Sequence, residues 1–190
     1  MNPVNDKLTN SVLACLFAAI ISIGAYIAFP IPGTPVPIVL QNMFIMIAAL
    51  VLGPWWGLAS VCIYLLLGAG GMPVFSGGTG GFMKFVGPTG GYLFGYIPAT
   101  VVIGFIAWKG KGTFLANLLA CAAGMAIVYL FGVVRLKFVL NSSWGKAITA
   151  GFLPFIIGDI IKIALAAVLS PRLIKGLKHL SERESDGRTF

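Results

Sequence analysis

Four stretches of this chain, Ser11 to Phe29, Pro88 to Trp108, Thr113 to Val134 and Ala147 to Ser170, are almost wholly without charge. Only the last holds any charged residue, and it holds two, Asp159 and Lys162. A helix needs about 20 apolar residues to cross the roughly 30 Å of hydrocarbon in a bilayer, and each stretch is of that order. Water offers such runs no alternative. Hydrophobic residues fill 58% of the 190 positions and charged ones 9%, where soluble domains carry about 25% charge. The chain is therefore expected to be an all-α, multi-pass membrane protein of the cell membrane.

Between the first two stretches lie Ile38 to Leu52 and Trp55 to Leu67, separated by Gly53-Pro54. Each is shorter than a straight span, so they fit either two short spans or one re-entrant hairpin. Val36, Pro37 and Gly68 can lengthen them, and Trp55-Trp56 suits a membrane interface, which favours two spans and six transmembrane helices in all. The first stretch exceeds the apolar region of a cleaved leader, although Ala25 and Ala28 weakly imitate a cleavage site, and it is assigned as a span. With six spans and an inward amino terminus, the inner side carries Lys7, Lys109, Lys111, Arg172, Lys175, Lys178, Arg183 and Arg188. The outer side carries only Lys84, Arg135, Lys137 and Lys146. That bias puts both termini in the cytoplasm, and a hairpin in place of the two short spans would not change the count. Residues 1–180 are expected to form one transmembrane domain, followed by a polar, frayed tail over 181–190. The net charge of +8 fits this bias and attraction to the anionic lipid bilayer, with no call for nucleic acid.

Several chemistries find no support. Cys15, Cys62 and Cys121 are isolated, with no CxxC and no neighbouring His, so they are expected to be packing residues and no metal site is expected. The single His179 lies in the basic tail and is expected to face water. A nucleotide loop needs lysine directly after glycine, but Lys84 follows Met83; the glycine triplet of a dinucleotide fold fails at Met83 as well. No nucleophile and base can be placed together, so the chain is expected to be no enzyme, with no catalytic residues and no cofactor.

What remains is concentrated in two loops and one ion pair. The segment from Pro30 to Pro37 has proline at four of its eight places and is expected to be a stiff, extended strap; a rigid turn that merely starts the next helix would also fit. From Gly68 to Gly95 eleven glycines mix with Phe75, Phe82, Phe85 and Tyr92, a composition suited to backbone that closes over a small, partly planar molecule. A flexible linker would be richer in serine and charge. Asp159 and Lys162 stand one helical turn apart, where each charge costs about 2.5 to 3.5 kcal/mol at the centre of a span unless it meets its partner or a ligand. A self-satisfied structural ion pair is the alternative. Pro154 should kink the helix before Asp159, and Gly158 should clear space beside the carboxylate. Gln41 and Asn42 could converge on the same place. A carboxylate, an ammonium and neutral amides suit a ligand with both N–H and C=O groups, such as a cyclic urea, and outer cations would attract an anionic tail.

Gly71-Met72-Pro73-Val74-Phe75, the run from Gly87 to Leu93 and Gly158-Asp159-Ile160-Ile161-Lys162 resemble the signature of the BioY family, the biotin-specific substrate-binding subunits of energy-coupling factor transporters. The similarity extends over nearly the whole chain. It implies a six-helix fold and a biotin site in the outer half of the membrane, capped by the loops after the first and third helices. It also implies partners, a membrane coupling subunit and two ATP-binding cassette ATPases. Docking to the coupling subunit is expected on a small-residue stripe of the first helix, matched here by Ala14 and Ala18. Carried onto this sequence, the resemblance has Asp159 accept a ureido N–H while Lys162 holds that carboxylate or donates to the ligand. Thr89 and Tyr92 offer hydroxyls, Gly78, Thr79 and Gly87 offer backbone contacts, and Gln41 completes the set. It leaves the role of Lys84 open. The competing function is a self-sufficient secondary transporter using Asp159 as an ion carrier, but no inverted repeat is visible.

Overall fold

A computed structural model describes residues 7–186 of the chain. Its helices are α1 (Lys7–Tyr26), α2 (Gln41–Ala69), the one-turn α3 (Met83–Val86), α4 (Gly90–Lys109), α5 (Phe114–Val139), the short α6 (Trp144–Gly151) and α7 (Ile156–Asp186). Five segments among the described residues are long and apolar enough to cross a membrane: α1, α2, α4, α5 and the joined run of α6 and α7.

The second of these is not a single leg. Gly53 takes φ 78° and ψ −174°, a conformation open to glycine and costly for other residues, and Pro54 behind it cannot continue the hydrogen-bond ladder. The chain folds back at this point. A Cβ placed on Gly57 would come within 2.9 Å of the Ala49 Cα, whereas residues eight apart in a continuous helix are about 12 Å apart. The turn rests against α4, where a Cβ on Gly104 would meet the Gly53 carbonyl carbon at 2.8 Å. Residues 41–52 and 54–69 are thus two antiparallel arms of about 18 and 24 Å, which brings the legs of the bundle to six. Trp55, beside the turn, is exposed and meets the Phe105 ring edge-on at 5.9 Å.

α2 packs against α1, α4 and α7, and α5 packs against α4 and α7, so α2, α4, α5 and α7 form a ring with α1 on its flank. The ring is sealed at its core by fully buried Met46, Leu52, Val61, Tyr64, Ile103 and Leu136. At one end Asn117 donates to Ser170 Oγ at 3.3 Å and to the Gly112 carbonyl at 3.4 Å, tying α5, α7 and the α4–α5 connection together. The two long loops lie at the other end.

The proline-rich loop is closed by a two-residue antiparallel ladder, β1 (Ala28–Phe29) with β2 (Ile38–Val39), and so is a bound strap. The glycine-rich loop is folded too. Phe75 N–H donates to the Thr79 carbonyl at 2.7 Å, Gly77 N–H to Ala25 at 3.1 Å and Gly81 N–H to Gly68 at 2.7 Å, while the Phe75 ring stands edge-on to Tyr64 and Phe85.

Several details depart from the sequence-based expectations. The run from Ala147 to Ser170 is not one kinked helix: α6 stops at Gly151, Leu153–Phe155 form a 3-10 turn containing Pro154, and α7 starts afresh. Gly158 faces open space, so it makes no room for the carboxylate. Cys15 is exposed, Cys62 half-buried and only Cys121 buried. The polar tail set apart from residue 181 begins inside α7, and residues 187–190 lie outside the described residues.

Candidate functional site

The break before α7 decides where the ion pair sits. Asp159 falls in the first turn of α7, where unpaired amides and the helix dipole favour a negative charge. Lys162 Nζ donates to Asp159 Oδ1 at 2.8 Å, and the Tyr129 hydroxyl of α5 donates to Oδ2. Asp159 is 3% and Lys162 6% exposed. Both carboxylate oxygens are therefore engaged in a place where an unpaired ion would be strongly disfavoured. The Tyr129 ring is held edge-on by Phe152 at 4.7 Å and by Tyr92 at 6.5 Å.

Lys162 and Tyr129 turn toward a cavity of about 220 Å³ beneath the two loops. Its walls come from every part of the ring: Gln41 and Asn42 from the start of α2, Thr89, Tyr92, Leu93 and Tyr96 from the start of α4, Val128 and Tyr129 from α5, and Phe155 and Lys162 from the start of α7. The strap supplies Pro35, Val36 and Pro37, and the glycine-rich loop supplies Phe75, Ser76, Thr79 and, through α3, Lys84. The apolar lining is aromatic and aliphatic, with polar groups at separate points, as in pockets for small molecules. Some of those groups are already committed. Tyr96 OH donates to Asn42 Oδ1 at 2.7 Å, Tyr92 OH to the Gly151 carbonyl at 2.7 Å, and Thr79 Oγ1 to the Ser76 carbonyl at 3.0 Å. Gln41 is less so: it is 2% exposed, and its Nε2 makes no well-formed hydrogen bond, with the buried Tyr64 hydroxyl beside it. A buried amide donor without a partner is costly, and a ligand oxygen is one way to satisfy it.

Of the residues singled out in the sequence, Gln41, Asn42, Phe75, Thr79, Thr89, Tyr92 and Lys162 share this cavity. Asp159 stands behind Lys162 and Tyr129 and does not line it. Gly78 and Gly87 do not line it either. Gly78, at φ 72°, shapes the loop beside the Tyr26 ring, which a Cβ would approach to 3.0 Å; Gly87 closes α3 by donating to the Met83 carbonyl at 3.1 Å. Ala14 and Ala18 do not lie on the open side of α1: each is 1% exposed, turned inward on the helix that packs against α2. The exposed small residues of α1 are Ser11, Cys15 and Ala19, one position further round at the same spacing.

Tyr96, Tyr129 and Lys84 were not assigned from the sequence. Tyr96 follows Tyr92 by one helical turn, a spacing that places both on one face. Tyr129 carries no local signal, because its partner is thirty residues away.

Comparison with known proteins places these features in context. The sequence profile of the BioY family matches residues 1–179. The biotin transporter BioY of Thermotoga maritima is 44% identical over 162 residues, covering 85% of this chain and 94% of that protein. The biotin transporter BioY2 of Lactococcus lactis is 34% identical over 182 residues, covering 94% and 97%. A crystal structure of the S-component for biotin from an ECF-type ABC transporter aligns with a TM-score of 0.85 at 36% identity, covering 90% of this chain and 93% of that one.

Proposed function

The chain belongs to the BioY family, and from that premise we propose that it is the biotin-binding subunit of an ATP-driven energy-coupling factor transporter in the cell membrane. The observation that carries the proposal is a buried, charge-paired lysine on the wall of a cavity that mixes aromatic surface with hydroxyl and amide groups. Biotin joins a flat ureido ring to an apolar chain ending in a carboxylate. In this site the Lys162 ammonium and the Gln41 amide are the donors suited to the ureido oxygen, since both are buried and the Gln41 Nε2 makes no well-formed hydrogen bond. Asp159 acts mainly as the positioning group: it fixes the Lys162 ammonium and the Tyr129 hydroxyl, and its direct bond to a ureido N–H would require the cavity to extend past them. Thr79, Thr89 and Tyr92 border the ring, with Gly78 and Gly87 shaping the loop over it. Lys84, on the loop side of the cavity, is the cation suited to the carboxylate.

Binding requires no catalysis, and ATP hydrolysis falls to two ATPase partners acting through a membrane coupling subunit. The face of α1 available for close helix approach is Ser11, Cys15 and Ala19, small residues of the kind that let helices meet in a membrane. The loop end of the bundle is assigned to the outside and both termini to the cytoplasm, on the strength of the basic-residue bias.

Labelled biotin titrated into the purified chain tests the binding step. Saturable binding that weakens at least a hundredfold in Lys162→Met is expected; no binding by the parent chain would end the proposal. Uptake by cells with and without the ATPase partners separates this function from a solo transporter, which would need neither.

A further inference from the structure

Outside the ring, between α4 and α5, lies a second hollow of about 670 Å³. Its walls are apolar, formed by Phe94, Ile97 and Pro98 of α4 and by Leu130, Phe131 and Phe138 of α5. At its loop end stands Arg135. An apolar hollow on this surface says only that hydrocarbon covers it; the arginine says more. One Nη donates to the Val86 carbonyl, while Nε is buried without an acceptor. Among the described residues no carboxylate pairs with it. Asp159 is already engaged by Lys162 and Tyr129, and the other four acidic residues, Asp6, Glu182, Glu184 and Asp186, lie at the two chain ends. The charge next along α5 adds to the imbalance, with Lys137 Nζ 4.7 Å from the Phe138 ring centre and 4.8 Å from that of Trp144.

A cation with an unused donor, set at one end of an acyl-sized hollow and paired with no carboxylate among the described residues, is complementary to a molecule with an anionic head and an apolar tail. We propose that the α4–α5 hollow is a binding site for an anionic phospholipid of the leaflet at the loop end, with an acyl chain along Phe94, Ile97 and Leu130 and the phosphate at Arg135. The guanidinium uses its fork geometry, since one Nη is spent on Val86 and the remaining donors can face the phosphate. Val86 is the last residue of α3, so the same arginine that would hold the headgroup braces the segment carrying Lys84.

Native mass spectrometry of the purified full chain, equilibrated with equal amounts of dioleoylphosphatidylglycerol and dioleoylphosphatidylcholine, tests the site. Retention of the glycerol lipid should exceed that of the choline lipid about fivefold, the effect of one basic residue near an anionic headgroup. Arg135→Gln should bring the two near parity, Arg135→Lys should keep most of the preference, and Ile97→Trp, which fills the hollow, should lower retention of both. Parity in the parent chain overturns the proposal. So does a preference that survives Arg135→Gln, which would move it to Lys137 or Lys146, and so does lipid retention indifferent to Ile97→Trp. A dimer of the chain that is lost on Ile97→Trp would identify a second copy as the occupant and overturn it equally.

Discussion

Replacing Asp159 by Asn leaves the Lys162 ammonium 6% exposed with its only carboxylate removed, and the neutral side chain can accept at one atom where the carboxylate accepted at two. Breaking a buried ion pair from one side costs about 3 to 5 kcal/mol, because the remaining charge stays desolvated. For a chain of this size each kcal/mol moves the unfolding midpoint by about 2 to 4 °C, so Asp159→Asn should lower it by roughly 6 to 20 °C. Lys162→Met, which strands the carboxylate against Tyr129 alone, should cost a similar amount. The double variant should lie well above the sum of the two, since removing both charges removes the unpaired ion, and a net change within about 2 kcal/mol of the parent is expected. Thermal unfolding of the four proteins in one detergent reads the stability cycle, and labelled biotin reads binding alongside it. Stability and binding should separate: the double variant regains its midpoint and stays without affinity. Additive losses would show that the two charges do not depend on each other, and recovered binding in the double variant would show that the ligand never needed Lys162.

Lys84→Gln should weaken biotin by roughly tenfold or more, the loss of one charge-assisted bond of about 1.5 to 3 kcal/mol, and leave the binding of biotin amide nearly unchanged; equal losses for both ligands would place Lys84 away from the carboxylate. Gly53→Ala puts a Cβ on a residue at φ 78° and ψ −174°, a region open essentially to glycine alone, and should lower stability by about 1 to 3 kcal/mol, measured as a drop in unfolding midpoint, whereas no drop would mean that the turn relaxes freely. On α1, Cys15→Trp should abolish uptake with the partners present while biotin binding persists, and Ala14→Trp should instead destabilise the chain by overpacking it against α2. The reverse pattern would return the docking face to Ala14 and Ala18.

The spans and the ion pair were legible because each has few physical solutions. A charge-free run of twenty residues must lie in hydrocarbon or in a protein core too large for this chain, and an Asp and a Lys at i,i+3 in such a run have each other as the nearest remedy. Gly53-Pro54 likewise announced a break, though only the contact of Gly57 with Ala49 shows that the chain reverses there. The face of α1 was not legible. Its residues are apolar all round, so nothing in their pattern distinguishes the side that meets α2 from the side that does not, and an error of one residue rotates the helix by about 100°. Tyr129 was hidden for a different reason. A tyrosine in an apolar helix is ordinary at a membrane interface, and what makes this one part of the site is a carboxylate thirty positions later, brought within hydrogen-bond reach by the packing of α7 on α5. The same packing changed the meaning of the clearest signal. The pair identified the right end of the right helix, but the break at Gly151 to Phe155 turns Lys162 toward the cavity and leaves Asp159 behind it. Affinity should therefore follow the lysine directly and the aspartate through it, which requires Lys162→Met to weaken biotin at least as much as Asp159→Asn does.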